Sequence, residues 1–311
     1  MKIEDIVLEE PETVDKNLSI EEWRATRKMD YFKAAAILLQ SDDPSVRNVV
    51  FKTIYEITRC FIPKTVYKYY SLGDDKKKNR TRFDTLYNGQ IYMSDIRDFN
   101  DPFDGQGFYY KPDKLADISR LKHCNGSLID DFREYVKVAC FTGNGVQSMP
   151  MWAHYSNNHM GFCVAYDVME NPELNSGLFP VQYIDQRLDI TTEMRRQAEK
   201  ICHSIDESES QREVNIYYDD ITIVFLALLL YNIKGKNWEY ENEFRCTSGS
   251  QSEGMPYMRA KPKCIYVGKD CSKENASYLY DIADHFGIII NKMEYKDDSD
   301  AYELVAREFY K

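Results

Sequence analysis

The chain reads as an α+β protein, with mixed, largely antiparallel sheets and flanking helices. Three features of its 311 residues carry that expectation. Apolar residues near the N-terminus recur at helical spacing. From Thr65 onward, short runs rich in β-branched and aromatic residues follow one another with helices interspersed. These runs do not alternate strictly with helices as a doubly wound sheet requires.

Residues 1–62 are expected to form an N-terminal helical extension, and residues 63–311 an α+β domain that carries the site. Ser19-Ile-Glu-Glu22 has the form of a capping box, and Trp23, Met29, Phe32, Ala36 and Leu39 mark the helix face behind it. Ser41-Asp-Asp-Pro44 breaks that helix and starts another through Val46, Val50, Ile54 and Ile57. Val66–Tyr70 reads as a strand, 81–88 as a helix, and Gln90–Ser94 as a strand after the Asn88-Gly89 turn. Val136–Thr142, Gly161–Asp167 and Phe179–Tyr183 read as further strands. A polar helix follows at 189–209 and a buried one at 214–233. Trp238–Cys246 returns to strand. Lys263–Val267, a helix at 272–286, and strands near 288–295 and 301–309 close the chain.

Composition narrows the functional classes. Hydrophobic residues reach 43% of the chain, enough for a substantial core. The formal net charge of -11 argues against uniform attraction to phosphate backbones. One basic run, Asp74–Arg82, is read as a solvated loop. The N-terminus is acidic and polar where a secretion signal would be apolar, so the expected compartment is the cytoplasm. The longest apolar run, Ile221–Tyr231, falls short of the roughly 20 residues that span a bilayer. No membrane association is expected. Eight scattered Cys form no Cys-x-x-Cys pair, so neither a disulfide nor a zinc site is assigned, and no metal is predicted.

The segment Trp238–Arg245, WEYENEFR, alternates with period two. As a strand it sets Trp238, Tyr240, Asn242 and Phe244 on one face and Glu239, Glu241, Glu243 and Arg245 on the other. Alternate carboxylates then sit about 7 Å apart. Like charges in a row repel unless a cation, a ligand or proton uptake compensates. The plain reading is a solvated edge strand. The functional reading is a polar wall, with Arg245 offsetting one carboxylate.

Two loops could complete a site. Phe99–Asp104, FNDPFD, is a Pro-fixed turn that presents Asn100 and Asp104. It is either a structural turn or a rigid wall offering amide and carboxylate contacts to a sugar or base. Met149–Gly161, MPMWAHYSNNHMG, gathers Trp152, His154 and Tyr155. The aromatics could stack on a planar ligand, and His154 could act as an acid or base near neutral pH. Alternatively, the segment is a short helix whose Trp packs in the core. No Gly-x-Ser-x-Gly elbow and no Gly-rich phosphate loop is present.

Taken together, YKYYS, YMSDIRDFNDPFD, CFT with MWAHYSNNHMGFC, and K-x-x-x-WEYENEFR resemble a bacterial family known only as a domain of unknown function, 2971. The likeness covers roughly residues 65–268. More distantly, the order of an opening aromatic strand, a Ser-bearing strand and a late Glu-x-Glu strand is similar to ADP-ribosyltransferases. That likeness implies an ADP-ribosyltransferase-like core and NAD as substrate, either transferring ADP-ribose or hydrolysing the dinucleotide. It implies Glu243 as the catalytic carboxylate and Glu241 as the acceptor-directing one, while His154, read from its own segment, is a further candidate catalytic group. By that likeness Tyr67, Lys68 and Tyr69 would lie at the ribose anchor, with Ser94 nearest to the Ser position; Asn100, Asp104, Trp152, Tyr155 and Arg245, read from their own segments, would complete the nucleotide site. The acceptor would be a protein or nucleic acid, and the setting a toxin or phage-defence effector. Two departures stand against it: Lys68 occupies the place of a His or Arg anchor, and no Ser-Thr-Ser block is present.

Two other classes remain open on sequence. A magnesium-dependent nuclease or phosphodiesterase would use Asp101 or Asp104 with Glu241 and Glu243. A non-enzymatic sensor or binding module would dock a protein partner through residues 1–62.

Overall fold

The computed structural model describes residues 45, 55, 58–127, 136–211, 231–249, 256–297 and 300–310. Most of the helices expected within 1–62 and most of the apolar helix at 214–233 lie outside the described residues. The chain divides into two compact units. One comprises the described residues of Ile62–Asp95, Tyr135–Val181 and Glu239–Lys311. The other comprises those of Met1–Phe61, Ile96–Glu134 and Gln182–Trp238.

The first unit is built on a nine-stranded sheet. Its strands are β1 (Thr65–Tyr70), β2 (Ser94–Asp95), β3 (Val136–Thr142), β4 (Phe162–Asp167), β5 (Leu178–Pro180), β6 (Glu243–Gly249), β7 (Cys264–Val267), β8 (Ile289–Tyr295) and β9 (Leu304–Glu308). The spatial order is β9-β8-β7-β4-β1-β3-β6-β5, with β2 beside β3. Only β7 and β8 run parallel; the other pairings in this sheet are antiparallel. The fold is therefore mixed α and β on a mostly antiparallel sheet, as the run of β-rich segments predicts.

Four helices belong to this unit: α1 (Lys76–Tyr87), α2 (Met149–Tyr155), α3 (Pro172–Gly177) and α4 (Lys273–Phe286). The basic run at 74–82, expected as a loop, instead supplies the first half of α1. The Asp75 carboxylate accepts the amide of Lys78 at 3.0 Å and caps the helix start. Its lysines remain solvated, so the charge run carried no information against a helix. Helix α4 starts at the Ser272 cap and stops at Gly287, whose φ of 64° suits a residue without Cβ.

The side chains of each strand alternate between two faces. One face carries Val66, Phe141, Val164, Tyr166, Ile265 and Val267, and packs on Phe83 and Leu86 of α1 and Leu279 and Ile282 of α4. Each such buried side chain contributes about 1.5–3 kcal/mol relative to exposure. The opposite face carries Tyr67, Tyr69, Cys163, Tyr266 and Met293, and receives Trp152 of α2.

After α2 the chain turns through three consecutive left-handed residues, Asn157, Asn158 and His159, with φ of 52°, 51° and 64°. Asn tolerates this region better than most residues. Four amides in the turn bond back: Asn158 to Ala153, His159 to Trp152, Met160 to Asn157 and Gly161 to Ser156. Gly161 then enters β4 so close to β1 that an added Cβ would lie 1.9 Å from the Tyr70 carbonyl oxygen.

In the second unit, Gln182–Ile184 pairs in parallel with Ile233–Gly235, and Phe108–Tyr109 with Leu188–Asp189. Helix Thr191–Gln211 contributes Ala198 to a small core with Leu115 and Ile118. The expected strand Phe179–Tyr183 is split here: Leu178–Pro180 joins the large sheet and Gln182–Ile184 the second unit. The switch falls between Val181, whose amide still donates to the Glu243 carbonyl at 2.9 Å, and Gln182, whose amide donates to the Asn232 carbonyl at 2.7 Å.

The close approach at Gly161 gives a direct expectation. Gly161→Ala sets a methyl group against backbone that cannot step aside. We expect destabilisation of at least about 3 kcal/mol, the top of the usual overpacking range, read as a lower denaturant midpoint at unchanged slope.

Candidate functional site

The WEYENEFR segment is only half a strand. Lys236–Glu241 forms a 3-10 helix, Asn242 has a left-handed φ of 45°, and β6 begins at Glu243. The period-two reading of Trp238–Glu241 is therefore corrected. Glu239 is exposed and does not extend a carboxylate row, whereas Glu241 and Glu243 are buried. The alternation failed because the backbone leaves extended geometry at a residue type that tolerates the left-handed region.

The two buried carboxylates have different partners. Arg245, two residues on and on the same face of β6, grips Glu243 with both ends of its fork. Nε reaches Oε1 at 2.8 Å and Nη2 reaches Oε2 at 2.9 Å. The arginine side chain is 0% exposed, so this is a desolvated, bidentate ion pair. Glu241, in contrast, accepts a hydrogen bond from the Tyr155 phenol at the end of α2.

Strand register supplies the surroundings. Glu243 lies opposite Thr142, which lies opposite Tyr67, and Arg245 lies opposite Cys140. Tyr67 thus shares the face of Glu243, two strand spacings or about 10 Å away. Ser94 pairs with Val138 on β3 and shares that face as well. Burial holds the Cys140 thiol well above its ordinary value, and the neighbouring Glu243 carboxylate pushes the same way.

Lys68 points to the opposite face, over the rings of Tyr70 and Phe141, and donates to the Cys140 carbonyl at 3.1 Å. Burial lowers its pKa below the usual lysine range. It is half-buried as a residue. Tyr69 faces α2, edge-on to Trp152 at 5.0 Å, with its hydroxyl on the Gly145 carbonyl at 2.7 Å. Trp152 is wholly buried, its indole bonded to the Val146 carbonyl at 2.7 Å, and so is core rather than a stacking platform. His154 is exposed, with its ring 6.3 Å from that of Tyr240.

Asn100 and Asp104 belong to the second unit. Asn100 is exposed, whereas Asp104 is buried with its carboxylate 3.8 Å from the Lys234 ammonium. Asp101 caps its own turn by accepting the Phe103 amide at 2.9 Å. Among the described residues, no group of three or more His, Cys, Asp or Glu side chains is placed to hold a metal ion. The magnesium-nuclease alternative draws on Asp101 or Asp104, in the second unit, and on Glu241 and Glu243, in the first. Also among the described residues, no helix is long and apolar enough to cross a membrane. None of the eight cysteines is in a disulfide among the described residues.

The sequence reading missed Thr142 and Asn144. Thr142 donates to the Glu241 carbonyl at 2.5 Å, and Asn144 to the Tyr240 carbonyl at 2.5 Å. The only hint was Thr-Gly-Asn closing a strand, a common turn signal.

Residues 151–246 match the model of a family described as a protein of unknown function (DUF2971). The matched stretch contains Tyr155, Glu241, Glu243 and Arg245, and is shorter than the 65–268 expected to share the likeness. No curated protein and no solved structure matches the chain. Nothing in these comparisons supports the more distant similarity to ADP-ribosyltransferases.

Two outcomes follow from this geometry. Arg245→Met leaves Glu243 as a buried charge without its fork, and should cost about 3–5 kcal/mol in chemical denaturation. The joint change Glu243→Leu with Arg245→Met should recover most of that loss, within about 1 kcal/mol of wild type or above it.

The second concerns pH. Burial raises the pKa values of Cys140, Cys163, Tyr69, Tyr70 and Tyr166. Above roughly pH 9–10 the unfolded chain sheds these protons while the folded chain keeps them, so stability falls as pH rises. Lys68, with its lowered value, acts in the opposite sense but is one group against five. The melting temperature should decline steadily above pH ~9, and Tyr70→Phe should flatten part of that decline.

Proposed function

We propose that the chain is an enzyme that cleaves the nicotinamide–ribose bond of NAD, passing ADP-ribose to water or to an acceptor. The observation that supports this reading is the pair of buried carboxylates on either side of the left-handed Asn242, one held by a phenol and the other by a guanidinium.

The chemistry asks for such an arrangement. As the bond breaks, its electron pair leaves with nicotinamide, and positive charge builds on the ribose. A fixed carboxylate close to that charge stabilises it, most strongly where water is excluded. Water or an acceptor hydroxyl then adds to the sugar carbon and releases a proton. Glu243 has both oxygens engaged by Arg245, which offsets much of its charge. Glu241 accepts the hydrogen bond of the Tyr155 phenol, a donor that brings no charge of its own. Glu241 is therefore the reacting carboxylate in this reading, and Glu243 fixes Arg245 at the floor of the site. Tyr67 and Ser94, on the face of Glu243, are the groups to contact the rest of the nucleotide.

Purified protein incubated with labelled NAD tests this. Wild type should release nicotinamide. Glu241→Gln should lower that release by on the order of 100- to 1000-fold, the usual effect of losing one electrostatic stabiliser. Its melting temperature should remain close to that of wild type. Absence of release from wild type, or release from Glu241→Gln equal to wild type, overturns the reading.

A further inference from the structure

The turn between β3 and α2 grips Glu241 in a way that an ordinary sheet edge cannot. Three consecutive carbonyls, those of Tyr240, Glu241 and Asn242, each receive a donor from one short stretch. Asn144 Nδ2 takes the first at 2.5 Å, Thr142 Oγ1 the second at 2.5 Å and the Gly143 amide the third at 3.0 Å. In a β ladder a strand offers only alternate carbonyls to one neighbour. Three in succession become available only where the chain leaves extended geometry, as it does at Asn242.

Thr142 is 1% exposed, and both functions of its hydroxyl are used. It donates to Glu241 and accepts the Asn144 amide at 3.1 Å, which fixes its rotor. Gly143 allows the approach, since an added Cβ would lie 2.7 Å from the Asn242 side chain and 3.0 Å from the Phe244 ring. The grip holds the Glu241 main chain, while the Tyr155 phenol holds its carboxylate.

We infer that Thr142 and Asn144 are positioning residues that set where the Glu241 carboxylate meets a sugar-bearing ligand. This deepens the function proposed above and rests on it for the identity of the ligand. The placement itself rests on the hydrogen bonds alone. Misplacing a reacting group by about 1 Å costs on the order of a hundredfold in rate. The grip therefore affects turnover more than binding.

The test uses the full chain carrying 13C-carboxyl glutamate, with the Glu241 resonance assigned by its loss in Glu241→Gln. Thr142→Val should shift that resonance and lower kcat for nicotinamide release by about tenfold or more, with KM changed less than about threefold. Thr142→Ser should restore both. Asn144→Ala, at an exposed side chain, provides a second variant that removes one bond of the grip without a buried cavity. It should shift the resonance in the same sense. An unchanged resonance in both variants overturns the inference, as does failure of Thr142→Ser to restore it. A wild type that releases no nicotinamide, but whose Glu241 resonance moves in both variants, sustains the positioning role and overturns the NAD reading alone.

Discussion

The charge of Arg245 has to be answered inside the fold, because none of its side chain reaches water. The nearest answer in sequence is Glu243, two residues back and on the same face of β6. The bidentate geometry fixes both side chains at once. That pairing constrains the strand. A register shift by one residue would turn both charges onto the apolar face that holds Phe141 and Phe244. Correct register instead sets Phe244 and Cys246 inward, and places Thr142 and Cys140 opposite the pair. A buried ion pair is weak evidence for stability, since desolvation offsets much of its attraction. As a constraint on register and face it is strong.

The sequence was most legible where side-chain pattern and backbone geometry agree. β1, β3, β4 and β7 follow from β-branched or aromatic runs, and α4 fills the helix expected at 272–286. It was least legible where one residue switches geometry. WEYENEFR satisfies a period of two along its whole length, yet only Glu243 onward is strand. Nothing in the letters marks Asn242 as the switch, because the donors that hold the segment come from Thr142, Gly143 and Asn144, with 99 positions between the partners of the Thr142–Glu241 bond. Met149–Gly161 shows the converse. Trp152 and Tyr155 are three residues apart, but one is core and the other meets Glu241.

The candidate site was legible as a set of residue types and illegible as a partition. Asn100 and Asp104 looked like a second wall, and Lys68 like an anchor beside Tyr67. The structure assigns Asn100 and Asp104 to the second compact unit, and Lys68 to the opposite face of the sheet. The Lys68 placement follows from strand parity alone. If Tyr67 and Tyr69 face α2, then Lys68 must face the other way. The polar tip of Lys68 is accommodated there by a carbonyl and two aromatic rings, at the cost of a depressed pKa.

The division of labour proposed for the two carboxylates rests on their partners, a phenol for Glu241 and a guanidinium for Glu243. A guanidinium pairs with a carboxylate in both of its directions and holds charge against charge. A phenol donates one hydrogen bond and leaves the carboxylate anionic. In a water-poor site a bidentate ion pair is electrically quieter than a carboxylate held by a neutral donor, and the proposed reaction uses that contrast. Two glutamates that a strand pattern makes equivalent are thus made different by one left-handed residue between them. The kink turns Glu241 toward the helix that bears Tyr155 and leaves Glu243 on the strand that bears Arg245. The chemistry available to the site depends on that rotation rather than on the number of acids in the segment.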